Sequence, residues 1–277
     1  MRTIAHIVNP VCVPPSSDLY AAQPVTFESM RAARRFAAER VAIKLFATGY
    51  PEDRAVMPAE FESTPDLDRS VLDLGTFTVP RKLPLLADIL ERLYAASDGC
   101  EYLVYSNVDI ALMPSFYVTV DGLIEDGHDA FVINRRTISR QHVGLEQLGL
   151  MYAQIGERHP GFDCFIFPRS VYPRYSLARV CVGAAWVGRA LALNMVVHAR
   201  RFRVFADLHA TFHLGDDRVH EAPELGDYRL HNRREMQLVV ADVERDIGSL
   251  DDHPSILTHF PEGMAKRLRG VPGPGKK

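Results

Sequence analysis

The sequence lacks long apolar runs. No stretch approaches the roughly eighteen consecutive apolar residues that a membrane-spanning helix needs. The N-terminal stretch MRTIAHIVNPVCVPP has too short an apolar run and too much proline for a signal peptide. We therefore expect neither a transmembrane segment nor a signal peptide.

Cysteine is scarce and scattered. The four cysteines, Cys12, Cys100, Cys164 and Cys181, form no CxxC pair, which argues against a zinc site among them. We interpret them as reduced, mostly buried thiols of a cytoplasmic protein.

Two further motifs are missing. The 32 Lys and Arg residues are scattered among 35 Asp and Glu residues, so no basic stripe marks a nucleic-acid surface. We do not expect nucleic acid as a partner. The absence of a GxGxxG motif disfavours a dinucleotide-binding dehydrogenase.

Short apolar runs alternate with helical patterns along the chain, which predicts an α/β fold with a mainly parallel central sheet flanked by helices. The predicted strands are 2–10, 41–49, 101–106, 129–134, 163–168, 202–208 and 207–217, with a short one at 70–75. The predicted helices are 27–40, 84–97, 114–127, 144–156, 184–197 and 228–248, the first of them capped by Thr26. We expect one domain over 1–268 and a flexible tail over 269–277.

The run EYLVYS is followed by Asn107 and Asp109, and apolar sequence then resumes. Open α/β sheets bind ligands beyond the carboxyl ends of their strands. A carboxylate between apolar stretches is costly to bury unless it is paired or binds a cation. An ordinary Asn/Asp turn is the alternative. Asn9 lies at the end of the first predicted strand, and parallel topology should bring it to the same edge as Asp109.

The stretch YLVYSNVDIAL resembles the DxD region of glycosyltransferases with the GT-A fold, and the preceding VPRKLPLLADILERLYAASDGCE extends the likeness. The resemblance spans 1 to about 220 in architecture. It implies that Asp109 holds Mn²⁺ or Mg²⁺ against the diphosphate of a nucleotide sugar, with Arg81 and Lys82 as nearby basic residues. Asn107 replaces the first acid of the motif; an amide oxygen coordinates a hard cation but adds no charge.

The segment DLHATFHLGDD alternates apolar and polar residues, which predicts a strand. In a strand, His209 and His213 would lie about 13 Å apart and could not share one ion. The resemblance implies a late histidine as a metal ligand, and we choose His213. An ordinary surface histidine is the alternative. Asp216 and Asp217 fit either a turn or a substrate contact.

The stretch GERHPGFDCFIFP places Asp163 at the start of an apolar strand. The resemblance implies an acid that faces the acceptor here, so Asp163 is our candidate catalytic base. A carboxylate bonded to backbone amides is the alternative, and His159 is a weaker candidate. Trp186 could stack on a sugar or fill the core.

These patterns favour a glycosyltransferase that moves a sugar from a nucleotide-sugar donor to an unknown acceptor. The candidate donor-binding residues are Asn9, Arg81, Lys82, Asn107 and Asp109. A non-catalytic nucleotide-sugar-binding protein is one alternative. A sugar-phosphate nucleotidyltransferase is another, although the stretch IVNPVCVPPSS lacks the glycines of its phosphate loop.

Overall fold

The central sheet has seven strands. A computed structural model describes residues 1–215 and 222–260. The sheet contains β1 (Arg2–Val8), β2 (Val41–Ala47), β3 (Glu62–Ser63), β4 (Tyr102–Ser106), β6 (Ala130–Ile133), β9 (Cys164–Pro168) and β10 (Phe202–Phe205). The spatial order is β10-β6-β9-β4-β1-β2-β3. All neighbouring strands are parallel except β9, which is antiparallel to both β4 and β6.

A small second sheet lies where central strands end. It contains β5 (Ala111–Leu112), β7 (Arg136–Ile138), β8 (Glu157–Arg158) and β11 (Thr211–Leu214), in the order β5-β11-β7-β8. The chain enters β5 shortly after leaving β4, and it enters β7 shortly after leaving β6. The second sheet therefore extends from the edge at which the parallel central strands end, which we call the carboxyl edge.

Helices cover both faces of the central sheet. They are α1 (Asp18–Ala37), α2 (Leu86–Ala96), α3 (Phe116–Glu125), α4 (Leu148–Tyr152), α5 (Val187–His198), α6 (Gly226–Ile247) and α7 (Pro254–Leu257). Side chains of β4 alternate between the faces, as the period of a strand requires. Leu103 and Tyr105 pack in the cluster that contains α2, α5 and α6, while Val104 packs with α1 and α3.

The structure confirms the predicted single α/β domain with its mainly parallel sheet. The predicted boundary at residue 268, the tail 269–277, and Asp216 and Asp217 lie outside the described residues. No helix in the described parts of the chain is long and apolar enough to cross a membrane.

Two local predictions are wrong. The first helix begins at Asp18, after Ser17, and includes Pro24, so Thr26 is a buried interior residue and not a cap. Burial of the inner face of α1 outweighs the cost of one proline. The predicted strand 70–75 is instead a 3₁₀ turn over Val71–Asp73, because the Ser70 hydroxyl accepts a hydrogen bond from the Leu72 amide and the Ser70 amide donates to Asp73.

Candidate active site

Polar residues form a row across the carboxyl edge. The strand registers pair Val8 with Ala47, Ile7 with Tyr105, and Cys164 with both Ser106 and Ile133. One step beyond these pairs, or two steps beyond Ile7 and Tyr105, neighbouring strands present a run of polar residues in the order Thr48, Asn9, Asn107, Asp163 and Asn134. Adjacent strands are about 4.8 Å apart. Asn9 and Asn107, predicted from two separate strands, therefore lie side by side at one edge.

The loop after β1 is held by side-chain bonds. Asn9 donates to the Thr48 carbonyl over 2.7 Å. Gln23 of α1 accepts from the Val11 amide and donates to the Val11 carbonyl. The buried Asp53 carboxylate accepts from the Cys12 amide over 2.8 Å. This end of the row is a fixed surface, as a preorganised binding site requires.

Asp109 and His213 meet at the centre of the site. Pairing of β5 with β11 brings them together although they are 104 positions apart in sequence. The His213 Nε2 atom lies 3.2 Å from Asp109 Oδ2. Asp109 Oδ1 is buried and has no hydrogen-bond partner among the described residues. A quarter of the Asp109 side chain remains exposed, so a ligand can reach the pair.

The contacts of His213 define its tautomer. Its Nδ1 atom lies 2.7 Å from the Gly215 carbonyl oxygen, which only accepts hydrogen bonds, so Nδ1 carries a proton. In the neutral ring, Nε2 then directs a lone pair at the Asp109 carboxylate. Two lone pairs face each other favourably only when a proton or a metal cation lies between them. The pair is therefore built to hold a positive charge.

Asp109 remains ionised in this environment. Burial acts to raise its pKa, but the hydrogen bond and charge of His213, together with the charge of Arg135, lower the pKa of Asp109 below its usual value. A charged carboxylate with one unpartnered buried oxygen is a strong attractor for a cation.

A divalent cation fits the pair. Carboxylate oxygen suits Mn²⁺ and imidazole is the commonest metal ligand in proteins, and the hydrogen bond from His213 Nδ1 to the Gly215 carbonyl is typical of a ligating histidine. In the described parts of the chain, no group of three or more His, Cys, Asp or Glu side chains converges on one point. Among the described residues, Asp109 and His213 would supply two ligands, which leaves coordination positions for phosphate oxygens or water.

Arg135 is a site residue that we did not predict. Its Nη1 donates to Asp163 Oδ1 over 2.8 Å, and its backbone amide donates to Asp163 Oδ2 over 3.2 Å. Its Nε atom is buried without a hydrogen-bond partner among the described residues. Arg135 follows β6 as Asn107 follows β4, so the strand-end argument that singled out Asp109 could also have found it.

Asp163 is buried, and both of its oxygens bond to Arg135. It would have to leave this ion pair to accept a proton from an acceptor, because both of its oxygens already accept hydrogen bonds from Arg135. Its assignment as the catalytic base stays a prediction.

Two crystal structures of S. aureus TarS residues 1–349 are similar to this chain. The complex with UDP-GlcNAc has a TM-score of 0.53 and 9% identity, and the match covers 97% of this chain and 70% of that one. The complex with UDP has a TM-score of 0.51 and 10% identity, with the same coverage. The chain has a GT-A-like fold. No protein-family model matches it, and no curated protein does either.

The GT-A-like fold of this chain places Arg81 and Lys82 just before α2. That helix leads back into β4 and begins at the carboxyl edge. Lys82 Nζ lies 3.9 Å from the ring centroid of Tyr50, which follows β2, and it is ion-paired with Glu52. The Arg81 backbone amide bonds to Tyr228, while its exposed side chain has no ion pair with the described residues.

Three further candidates lie around this edge. His209 precedes β11, which begins at Thr211 and not at residue 207 as predicted, so the two histidines do not lie on one strand. Trp186 lies at the start of α5 with a left-handed backbone (φ 85°) and packs against the hydrophobic core, beneath a guanidinium 4.5 Å away on Arg189. His159 lines a pocket beside the site.

Proposed function

We propose that this chain is a glycosyltransferase that transfers a sugar from a nucleoside-diphosphate sugar to an acceptor hydroxyl. The observation that carries the proposal is the Asp109–His213 pair, with a buried and unpartnered carboxylate oxygen at the carboxyl edge of a GT-A-like fold. Ligands of open α/β sheets bind at this edge.

Each residue of the candidate donor site has a role in the proposed reaction. Asp109 and His213 hold Mn²⁺ or Mg²⁺, which when bound supplies positive charge for the diphosphate. Arg81 and Lys82, at the start of α2, add positive charge at the edge that receives the donor. Asn9 and Asn107 offer amide groups for the ribose or base of the nucleotide.

The chemistry needs one bond made and one bond broken. The acceptor oxygen forms a bond to the anomeric carbon, and the bond from that carbon to the diphosphate oxygen breaks. The electron pair leaves with the nucleoside diphosphate, and the proton of the acceptor hydroxyl passes to a base. Asp163 is the proposed base, and Arg135 must release it first.

A non-catalytic nucleotide-sugar-binding protein is the second candidate. Two observations favour it: Asn107 brings no charge to the motif, and Asp163 is held in an ion pair. Both candidates predict donor binding, and only the transferase predicts release of the nucleoside diphosphate.

A thermal-shift panel followed by a turnover assay tests the proposal. UDP, GDP, ADP and CDP are added to the intact chain with and without Mn²⁺, since a ligand that binds only the folded state raises its melting temperature. We expect one nucleotide to raise it only when Mn²⁺ is present. UDP-GlcNAc, which TarS binds, is the first donor to test for hydrolysis or transfer. If no nucleotide shifts the melting temperature under either condition, the proposal fails.

A further inference from the structure

A pocket of about 470 Å³ adjoins the site described above. It lies between the ends of β6 and β10, the loop 158–162 that leads into β9, and the C-terminal stretch 258–260. None of the residues proposed to bind the donor lines it.

The strand register fixes its position relative to the site. Asn134 lines the pocket and directly follows β6. Its backbone amide donates to the Phe205 carbonyl of β10. The pairing of Ile133 with Cys164 places Asn134 beside Asp163. The pocket thus opens on the opposite side of Asp163 from Asn107 and Asp109, so a molecule bound in it would lie next to the donor.

Asn134 defines what the pocket requires of a ligand. Its side chain is 3% exposed, and its Oδ1 atom is buried without a hydrogen-bond partner among the described residues. Its Nδ2 makes a long bond of 3.4 Å to the His159 carbonyl. An unpartnered buried acceptor is costly, and a ligand satisfies it only with an O–H or N–H donor. A phosphate or carboxylate oxygen cannot do so.

The walls of the pocket are largely apolar. Phe162 and Phe260 contact each other nearly edge to face, with their ring centroids 5.7 Å apart. Burial lowers the pKa of His259, so that its ring is a neutral wall at neutral pH. The one cation of the lining, Arg158, is ion-paired with Asp207. Apolar walls with a few fixed polar groups are typical of sites for small neutral ligands.

We infer that this pocket binds the acceptor, and that the acceptor is a neutral hydroxylated ring such as a glycoside. One hydroxyl donates to Asn134 Oδ1, and an apolar face of the ring packs on Phe162 and Phe260. This inference rests on the proposed function, because it names the class of molecule that receives the sugar.

Binding of p-nitrophenyl glycosides to the intact chain tests the inference, measured by ligand-observed NMR titration. Asn134→Ala removes the unpartnered acceptor, and Phe260→Ala removes one wall. Phe36→Ala is the matched control, since Phe36 lies at the end of α1 and is 61% exposed. We expect one or more of the glycosides to bind with a Kd in the range of about 1 mM, and both pocket variants to weaken that binding by about tenfold. The control variant should bind as the parent does.

The probe can be varied as well as the protein. Cyclohexyl p-nitrophenyl ether has no hydroxyl on its saturated ring, so it should bind the parent more weakly than the glycosides and should not distinguish Asn134→Ala from the parent. Equal glycoside affinity in all variants would overturn the inference, as would a parent that binds a nucleotide with Mn²⁺ but no glycoside. If glycosides bind the parent and bind both pocket variants more weakly while no nucleotide binds, the proposed function fails, but the assignment of the pocket as a glycoside site is retained.

Discussion

The Nε2 atom of His6 lies 2.9 Å from the hydroxyl oxygen of Ser106, across neighbouring strands at the centre of the main sheet. Its Nδ1 atom lies 2.9 Å from the Tyr117 hydroxyl of α3. Both hydroxyls can donate or accept, so they satisfy a neutral imidazole in either tautomer. Burial lowers the pKa of His6 to about 3. His6 is thus a neutral link between β1, β4 and α3.

This link should make the fold sensitive to acid. Below a pH of about 6.5, the unfolded chain binds a proton at His6 that the folded chain does not bind until the pH approaches 3. The contribution of His6 to stability is complete above pH 6.5 and is lost as the pH falls through this window, by at most about 1.4 kcal/mol per pH unit. Urea unfolding from pH 7 to pH 4 measures it, and His6→Gln should flatten that dependence. An equal slope in the variant would contradict the assignment.

Asp109→Asn should strongly weaken Mn²⁺-dependent nucleotide binding, because it keeps the size of the side chain and removes its charge. We expect the affinity for the nucleotide with Mn²⁺ to fall by about a hundredfold, within the range seen when buried charge-assisted contacts are lost. Isothermal titration calorimetry measures it. Asp98→Asn, at a side chain that is 95% exposed, is the matched control and should bind as the parent does.

His213→Ala gives a second test of the same pair. If both residues ligate one cation, their effects on Mn²⁺ affinity should not add, and the double variant should be little worse than Asp109→Asn alone. Additive losses would show that the two side chains act separately.

Arg135→Ala should destabilise the fold by about 3–5 kcal/mol, because it leaves the Asp163 carboxylate buried without its partner. Asp163→Ala in the same chain should recover much of the lost stability by removing the unpaired charge. Equilibrium unfolding in urea measures the free energy of unfolding of the parent, of Arg135→Ala and of the double variant. A double variant as unstable as Arg135→Ala would show that the guanidinium stabilises the site through other contacts.

Asp163→Asn separates catalysis from binding. If Asp163 is the base, turnover should fall by about 10²–10⁴-fold while the affinity for donor and Mn²⁺ stays that of the parent. Release of nucleoside diphosphate from the identified donor measures turnover. If turnover is retained, Asp163 is not the catalytic base and acts only as the ion-pair partner of Arg135.

The main strands and helices of the fold could be predicted from local sequence, because the spacing of apolar residues in a strand or a helix is visible within a short stretch of the chain. Asn9 and Asn107 can be predicted for the same reason, since each directly follows an apolar run, and Asp109 lies two positions beyond Asn107. The meeting of Asp109 with His213 could not be derived from spacing, because it depends on β5 pairing with β11 across 104 positions. The predicted start of the first helix is wrong because Pro24 disfavours a helix locally, while burial of α1 outweighs the helix propensity of that one residue.

The ion pair at Asp163 shows a different limit. A carboxylate bonded to backbone amides is the alternative that the sequence leaves open, and in the structure Asp163 accepts one such bond plus a guanidinium bond from the same residue, Arg135. That guanidinium belongs to the segment after a neighbouring strand, and strand order is not visible in the sequence.

The reversed direction of β9 has a consequence for how this chain can diversify. Because β6 ends and β9 begins at the same edge, residues 134–163 leave and return on one side of the sheet. Insertions or exchanges within that excursion need not thread past the core, and added loop length costs little entropy. The excursion contributes Asn134 and Phe162 to the pocket and Arg135 to the neighbouring site. Changes of sequence within residues 134–163 would therefore alter the lining of the pocket and the partner of Asp163 while the strands of the central sheet keep their order.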